Sequence, residues 1–333
     1  MKRKLINTLR LIFFIVGIGI IYLIGQKSGW DRIFQIVKTI EIYQIIIILL
    51  LPITWTFLHS LGWFILFDEK NNFKLIHIIG AQLSSTALSE LLPLGQAGGE
   101  PYRMYFVRKY YSREKSPNII ASVILYNTIH TIATGIIIFI GFMFLISQIS
   151  ISSKNKHIFL LLVAIGAILL IFFIQRQKKG FMGPIFELLS RIKILKSFAE
   201  KKKEKAYTVD SKLNKFYKEH RLFFYLSTLI LIIAKLIGVI EIYLILNFIY
   251  HPTTIENSFI IFSATSFVQI MFFFFPSQVG ASEGSIVYIT KLLGGSTATG
   301  MALAIIRRLR LIVWTLIGWI IAHIYGPKIH DIK

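Results

Sequence analysis

Apolar runs of about 17 to 25 residues recur along the chain, separated by short polar or basic stretches. Each is long enough to cross a hydrocarbon core of ~30 Å. The runs predict helices over 6–25, 41–67, 118–147, 157–175, 222–250 and 298–325. Two further apolar stretches, 76–92 and 258–275, break off in tips of small and polar residues, PLGQAGGEPYR at 93–103 and PSQVGASE at 276–283. A shorter amphipathic piece follows each tip. Irregular backbone survives at membrane depth only when it is buried in protein or lines a wet cavity. The pattern therefore predicts re-entrant hairpins over 76–112 and 258–294.

The two tips share a spacing. Pro93 and Glu100, like Pro276 and Glu283, stand seven residues apart, with small residues just before the glutamate, and the two glutamates are 183 residues apart. The same offset carries the helix at 41–67 onto 222–250 and that at 118–147 onto 298–325. The first helix maps onto 157–175 once a long basic loop, 176–221, is allowed for. The expected fold is an all-α polytopic membrane protein, with about six full-spanning helices and two re-entrant hairpins. It divides into two repeats, 1–150 and 151–333.

Charge gives these segments a direction. The N-terminus opens MKRKLINTLR, the piece after the first tip carries Arg103, Arg108, Lys109, Arg113 and Lys115, and 176–221 holds fourteen Lys and Arg against five Asp and Glu. Cytoplasmic loops collect such charge, so both termini are expected in the cytoplasm of a cell whose inner membrane holds the chain. The first hairpin then enters from inside. The 251–257 linker has no Lys or Arg, so the second enters from outside, and the repeat is inverted. The first helix resembles a signal peptide, but QKSGW follows it without a small-residue cleavage site, and it reads as a retained helix. Within the basic loop, Ile185, Leu188, Leu189, Ile192 and Leu195 share one helical face with cations opposite, as in an interfacial amphipathic helix.

Composition narrows the classes. The chain is 55% hydrophobic and only 16% charged, where a soluble domain carries about a quarter charged residues; its mean hydropathy is +0.68. No room is left for a soluble domain. A net charge of +21 reads as loop asymmetry and not as nucleic-acid binding. The absence of Cys excludes disulfides, thiolate metal sites and cysteine nucleophiles. The eight His lack paired ligand spacing, and His59, His130 and His323 read as single packed or hydrogen-bonded residues, so no metal or other cofactor is expected. There is no P-loop. GASEG at 280–284 fits a nucleophile elbow in letters only, because a Phe-rich apolar run replaces the strand that motif needs.

Candidate chemistry concentrates at the tips and in the last helix. Gly95, Gly98, Gly99 and Gly280 permit tight turns and close approach, while Pro93 and Pro276 open the tips. Glu100-Pro101 reads as a helix start and Ser282 as an N-cap before Glu283, so two helix N-termini, which favour anions, would face the midplane. Arg307 lies about nine residues into the last helix, roughly 14 Å along its axis. Charges at that depth are functional suspects that need partners, and Glu100, Glu283 or a lipid phosphate are the natural ones. Arg307, Arg308 and Arg310 are expected to point in different directions, so that not all three can face one cavity. Lys235 and Glu241, six residues apart, do not face each other, and each needs a partner elsewhere.

The P-x-G-x-x-G-G-E-x-x-R block formed by Pro93, Gly95, Gly98, Gly99, Glu100 and Arg103 is similar to the transmembrane region of lysylphosphatidylglycerol synthases and to related stand-alone flippase-like proteins. So are the P-x-x-x-G-x-x-E block of Pro276, Gly280 and Glu283 and the arginine-bearing last helix. The resemblance covers nearly the whole chain. The large soluble domain that transfers the amino acid in full synthases is absent from this sequence, so the resemblance implies lipid movement between leaflets and not aminoacyl transfer. The expected activity is a flippase: Arg103, Arg307 and the helix N-termini hold a phosphate, Glu100 and Glu283 hold a cationic group or a proton, and membrane lipids are the partners. A membrane enzyme acting on a polyprenyl or phospholipid substrate is the rival reading. A third is an accessory subunit of a lipid or glycan synthase. A second copy of the chain or such a synthase is the expected protein partner.

Overall fold

A computed structural model of the chain describes residues 17–67, 73–91, 96–111, 116–148, 153–192, 195–249, 251–272 and 278–327. Among these residues the secondary structure is helical throughout, with no strand. The helices are α1 (17–28), α2 (Trp30–Lys38), α3 (Ile42–Phe64), α4 (Leu75–Leu91), α5 (Gln96–Tyr110), α6 (Ser116–Gln148) and α7 (Ser153–Lys179). They continue with α8 (Met182–Ser190), α9 (Lys196–Glu219), α10 (Arg221–Phe248), α11 (Ile255–Met271), α12 (Ala281–Leu292) and α13 (Thr297–Tyr325). By length and composition α3, α6 and α10 are apolar enough to cross a membrane. Local signals explain several starts. Gln44 Oε1 accepts from the Glu41 amide at 3.0 Å before α3, and Thr254 and Ser296 hydroxyls cap α11 and α13 at 3.2 and 2.9 Å.

The expected apolar helices are present, with differences where caps and charge decide. The basic stretch 176–221 is no loop. It continues α7, then folds as α8 and the 24-residue α9, which buries Val209, Leu213 and Phe216 in the same core as Trp63, Phe106 and Tyr126. Its positive charge lies on the opposite face, so amphipathicity and not neutrality makes the helix. The expected single interfacial helix is broken between α8 and α9; Ile185, Leu188, Ile192 and Leu195 remain exposed. Asp210, buried in α9, supplies the N-terminal cap of α8: its carboxylate accepts from the amides of Phe181, Met182 and Gly183 at 3.1, 3.1 and 2.8 Å.

Packing is paired. α3 lies antiparallel to α10, with Gly62 against Leu231 and Ile48 in one core with Ile242 and Ile245. α4 packs on α5 and on α13, and α11 packs on α12 and on α6. Where α4 meets α3, α11 meets α10, and where α2 meets α13, α9 meets α6. The pairings exchange under the same 183-residue offset that relates the tips. The two hairpins sit at opposite ends of the α3–α10 pair. The first joins the core around Trp63 and the start of α10, and the second joins the core around Ile48 and the end of α10. Small residues let these helices touch. A Cβ on Gly99 would meet the Ser85 carbonyl at 2.2 Å, holding α5 against α4. Lys109 and Tyr110 of α5 donate to the carbonyls of Tyr325 and Gly326, satisfying the end of α13.

Candidate functional site: two buried ion clusters

The first cluster forms where α3, α5, α6 and α10 converge. Arg103 of α5 is buried, with Nη1 3.3 Å from Glu100 Oε1, one helical turn back. Its guanidinium lies 4.8 Å from the centre of the Tyr126 ring and 5.1 Å from that of Trp63, an arrangement that stabilises a cation away from water. The Tyr126 hydroxyl is 2.6 Å from His59 Nδ1, and Trp63 Nε1 donates to Ser122 at 3.2 Å. His59 and His130 rings are centred 5.6 Å apart, and His130 Nε2 is 3.3 Å from Lys235 Nζ. Along α4, the hydroxyls of Ser84 and Ser85 are buried and, among the described residues, have no hydrogen-bond partner; the same holds for Ser60 Oγ and Glu100 Oε2.

The second cluster is built on α13. Glu283 accepts from Arg308 Nε at 2.7 Å and pairs also with its terminal nitrogen. The other oxygen of Glu283 accepts from the Gly280 amide at 2.8 Å. That closes the first turn of α12, for which Gly280 is the N-cap, with φ of 86° that suits a residue without Cβ. Arg307 and Arg310, three residues apart on one face, share the carboxylate of Glu241 on α10, at 3.6 and 2.7 Å. Glu241 and Glu283 are both buried.

Several sequence expectations are met differently. Ser282 is not the cap; it lies in the first turn of α12, and its carbonyl accepts from Ser285 at 2.8 Å. Pro101 is not the first helical residue but lies inside α5, where it withholds the amide that the carbonyl four residues earlier would receive. Glu283 is paired with Arg308 and Arg307 with Glu241, so Arg307 is not the ion-pair partner of Glu100 or Glu283. Glu100 and Glu283 belong to separate clusters. Gly98 and Gly99 lie in α5; Pro93, Gly95 and Pro276 fall outside the described residues. Lys235 and Glu241 do find separate partners, six residues apart along α10. The histidines at 59 and 130 are hydrogen-bonded, as expected, to Tyr126 and Lys235. Their signal was available in Tyr126 and His130, four apart on one face of α6.

Beside the Gly280 turn, α6, α11 and α12 border an open pocket of about 490 Å³ whose walls, among them Phe142, Ile260, Phe267 and Tyr288, are mostly apolar. Outside the apolar helices, burial and the neighbouring Lys202 and Arg108 draw the Lys205 ammonium below its usual range. Cations of α5 and α9 therefore gather at one end of the molecule.

Apolar helices long enough to span a bilayer, with carboxylates and guanidiniums paired between them, define an integral membrane protein with ion pairs set among its apolar cores. The chain belongs to the family described as the lysylphosphatidylglycerol synthase TM region, which matches residues 9–318. Comparison with curated proteins and with solved structures finds no match.

Proposed function

We propose that the protein is a lipid flippase, moving a phospholipid or lipid-linked head group between the leaflets of a cell membrane, and that it is a transporter and not an enzyme. Membership of a lipid-synthase membrane family supports a lipid substrate. The observation that carries the reading is the charge of the α13 cluster. Among the described residues three partly buried guanidiniums face two carboxylates, a formal excess of one positive charge. A phosphodiester is the anion a bilayer supplies, and arginine forks match its oxygens. Arg103, stacked on Trp63 and Tyr126, offers a second such cation near the other hairpin.

The arrangement behind this is six spans (α1, α3, α6, α7, α10 and α13) with α4–α5 and α11–α12 as re-entrant hairpins of an inverted repeat. The exchanged packing pairs and the placement of the hairpins at opposite ends of α3 and α10 support it. The end that gathers α9, the α5 cations and the α13 terminus is the cytoplasmic one under the positive-inside rule, which puts both chain termini there. Rocking of the repeats about the α3–α10 pair exposes the clusters alternately to each side. The tails stay in the bilayer, and the apolar pocket beside Gly280 gives them a path. No cofactor enters this scheme. Membrane lipids are its partners, and a second copy or a synthase is a candidate protein partner.

The test is leaflet transfer of fluorescent phosphatidylglycerol in liposomes containing the purified chain. Transfer should be lost in Arg103→Gln and Arg308→Gln and reduced in Glu100→Ala and Glu283→Ala. Wild-type rates in all four would sink the site, and a covalently altered lipid product would replace the transporter with an enzyme.

A further inference from the structure

One buried cation has no role in the flippase scheme. Lys235 projects from the middle of α10, 7% exposed, and among the described residues no carboxylate is paired with it; the contact it makes is to His130 Nε2. A lone ammonium in the membrane interior is costly. An ammonium beside an imidazole nitrogen, however, is a pair able to hold one exchangeable proton. The surroundings are set so that this proton is the variable charge. From α5, Arg103 is permanently charged and Glu100 offsets it. From α3 comes His59, and from α6 the Tyr126 hydroxyl bonded to it. α4, packed on α3 and α5, carries the buried side chains Gln82, Ser84 and Ser85, its titratable groups His77 and Glu90 lying in its first and last turns. α11 packs on α10 through apolar and hydroxyl side chains, its single acid, Glu256, lying in its first turn. On α13, Arg307 and Arg310 are engaged by Glu241, and on α9, Tyr217 donates to Gln177 and Asp210 caps α8.

We propose that Lys235 and His130 form a buried proton-binding site, reached through His59 and Tyr126, whose proton couples head-group movement to a proton gradient. The proton passes from the Lys235 ammonium to the facing imidazole and on to water, leaving a neutral amine, and returns by the same route. His59 Nε2 is buried and, among the described residues, has no hydrogen-bond partner, so a nitrogen is placed to take part in the relay. The Arg103–Glu100 pair adjoins Tyr126, so an anion arriving at Arg103 favours the protonated form of the site, and its departure favours release. Only this coupling rests on the flippase reading; the proton site does not.

The site is tested first without transport. The full chain, carrying 13C-labelled lysine and 15N-labelled histidine in nanodiscs, is titrated by NMR; the Lys235 and His130 signals are assigned by their loss in Lys235→Met and His130→Phe. A single coupled step shared by both residues, which becomes a simple step of the remaining partner in each variant, is the expected result. Two independent titrations, or a lysine that never changes state, would overturn the site. The coupling is tested in liposomes of phosphatidylglycerol and phosphatidylethanolamine bearing labelled phosphatidylglycerol under an imposed pH difference. One proton per lipid biases the leaflet distribution about ten-fold per pH unit, and the bias should vanish in Lys235→Met and in the permanently charged Lys235→Arg. Transfer without bias in the wild type refutes the coupling and leaves the flippase reading standing. No transfer at all refutes both, with the NMR titration still deciding the site.

Discussion

Glu241 is one carboxylate held between two guanidiniums, and its replacement gives a ranked prediction. Glu241→Gln keeps the shape and removes the charge, leaving Arg307 and Arg310 without the anion that neutralises them. Breaking a buried ion pair in this way costs about 3–5 kcal/mol. The arginine side chains are 14% and 22% exposed, so part of the loss is screened and about 2–4 kcal/mol is the expected destabilisation. A second replacement should then stabilise the single variant by removing a stranded cation. Arg310 at 2.7 Å is the closer partner and Arg307 at 3.6 Å the farther, a difference that makes the closer pair about a third stronger. Glu241→Gln/Arg310→Gln is therefore expected to recover more stability than Glu241→Gln/Arg307→Gln. Unfolding titrations with dodecyl sulfate in mixed micelles measure both. If the single effects simply add, within about 0.5 kcal/mol, the cluster does not exist as described.

The α8 cap gives a local test: Asp210→Ala strips acceptors from three amides, at about 1–3 kcal/mol for each buried donor left unsatisfied, so trypsin should cut around Lys178 and Arg191 at least ten-fold faster while α10 stays protected. Gly99→Val should disrupt the first hairpin, because its Cβ meets the Ser85 carbonyl at 2.2 Å; loss of the monodisperse peak on gel filtration reads this, and a normal peak would contradict the close approach. Arg103→Lys keeps the charge but not the planar stack on Tyr126 and Trp63, and should lower the midpoint of thermal aggregation by several degrees and slow lipid transfer. On the exposed face of α8, the Tyr207 hydroxyl and then Lys203 hold the Glu187 carboxyl below its usual range. A depressed carboxylate lends its stability above the ordinary value and loses it as pH falls through the depressed one. The α8–α9 contact should thus loosen in acid, seen as faster acid-protease cleavage in that region, and Glu187→Gln should flatten the dependence.

The parts of this structure legible in the sequence are those fixed by short-range pattern. Apolar length marked α3, α6, α10 and α13 within a few residues, and the ends of the two shorter apolar runs fall close to the ends of α4 and α11. Helix starts were harder, because several residue types satisfy the same orphan amides. Glu283 reaches back to the Gly280 amide, and this moves the cap two residues ahead of Ser282. The basic stretch misled for a different reason. Fourteen cations in 176–221 read as a loop, yet the apolar residues of α9 recur at helical spacing and Asp210 ties α8 to it.

The ion partners were not legible, and the reason is geometric. A helix apolar on every side has no preferred face, so its sequence does not say which way Glu241 or Lys235 points. The pairings join residues far apart in the chain, His130 with Lys235 across 105 residues and Glu283 with Arg308 across 25. Counting charges showed only that partners must exist. Rotation of α10 decides the rest. Six residues advance a helix about 9 Å and well over one turn, so Lys235 turns toward α6 while Glu241 turns toward α13. One helix thereby belongs to both clusters, and a shift of α10 along its axis lengthens contacts at Lys235 and at Glu241 together. The two clusters share α10 as a common element, while Glu100 and Glu283 are each paired with an arginine of their own.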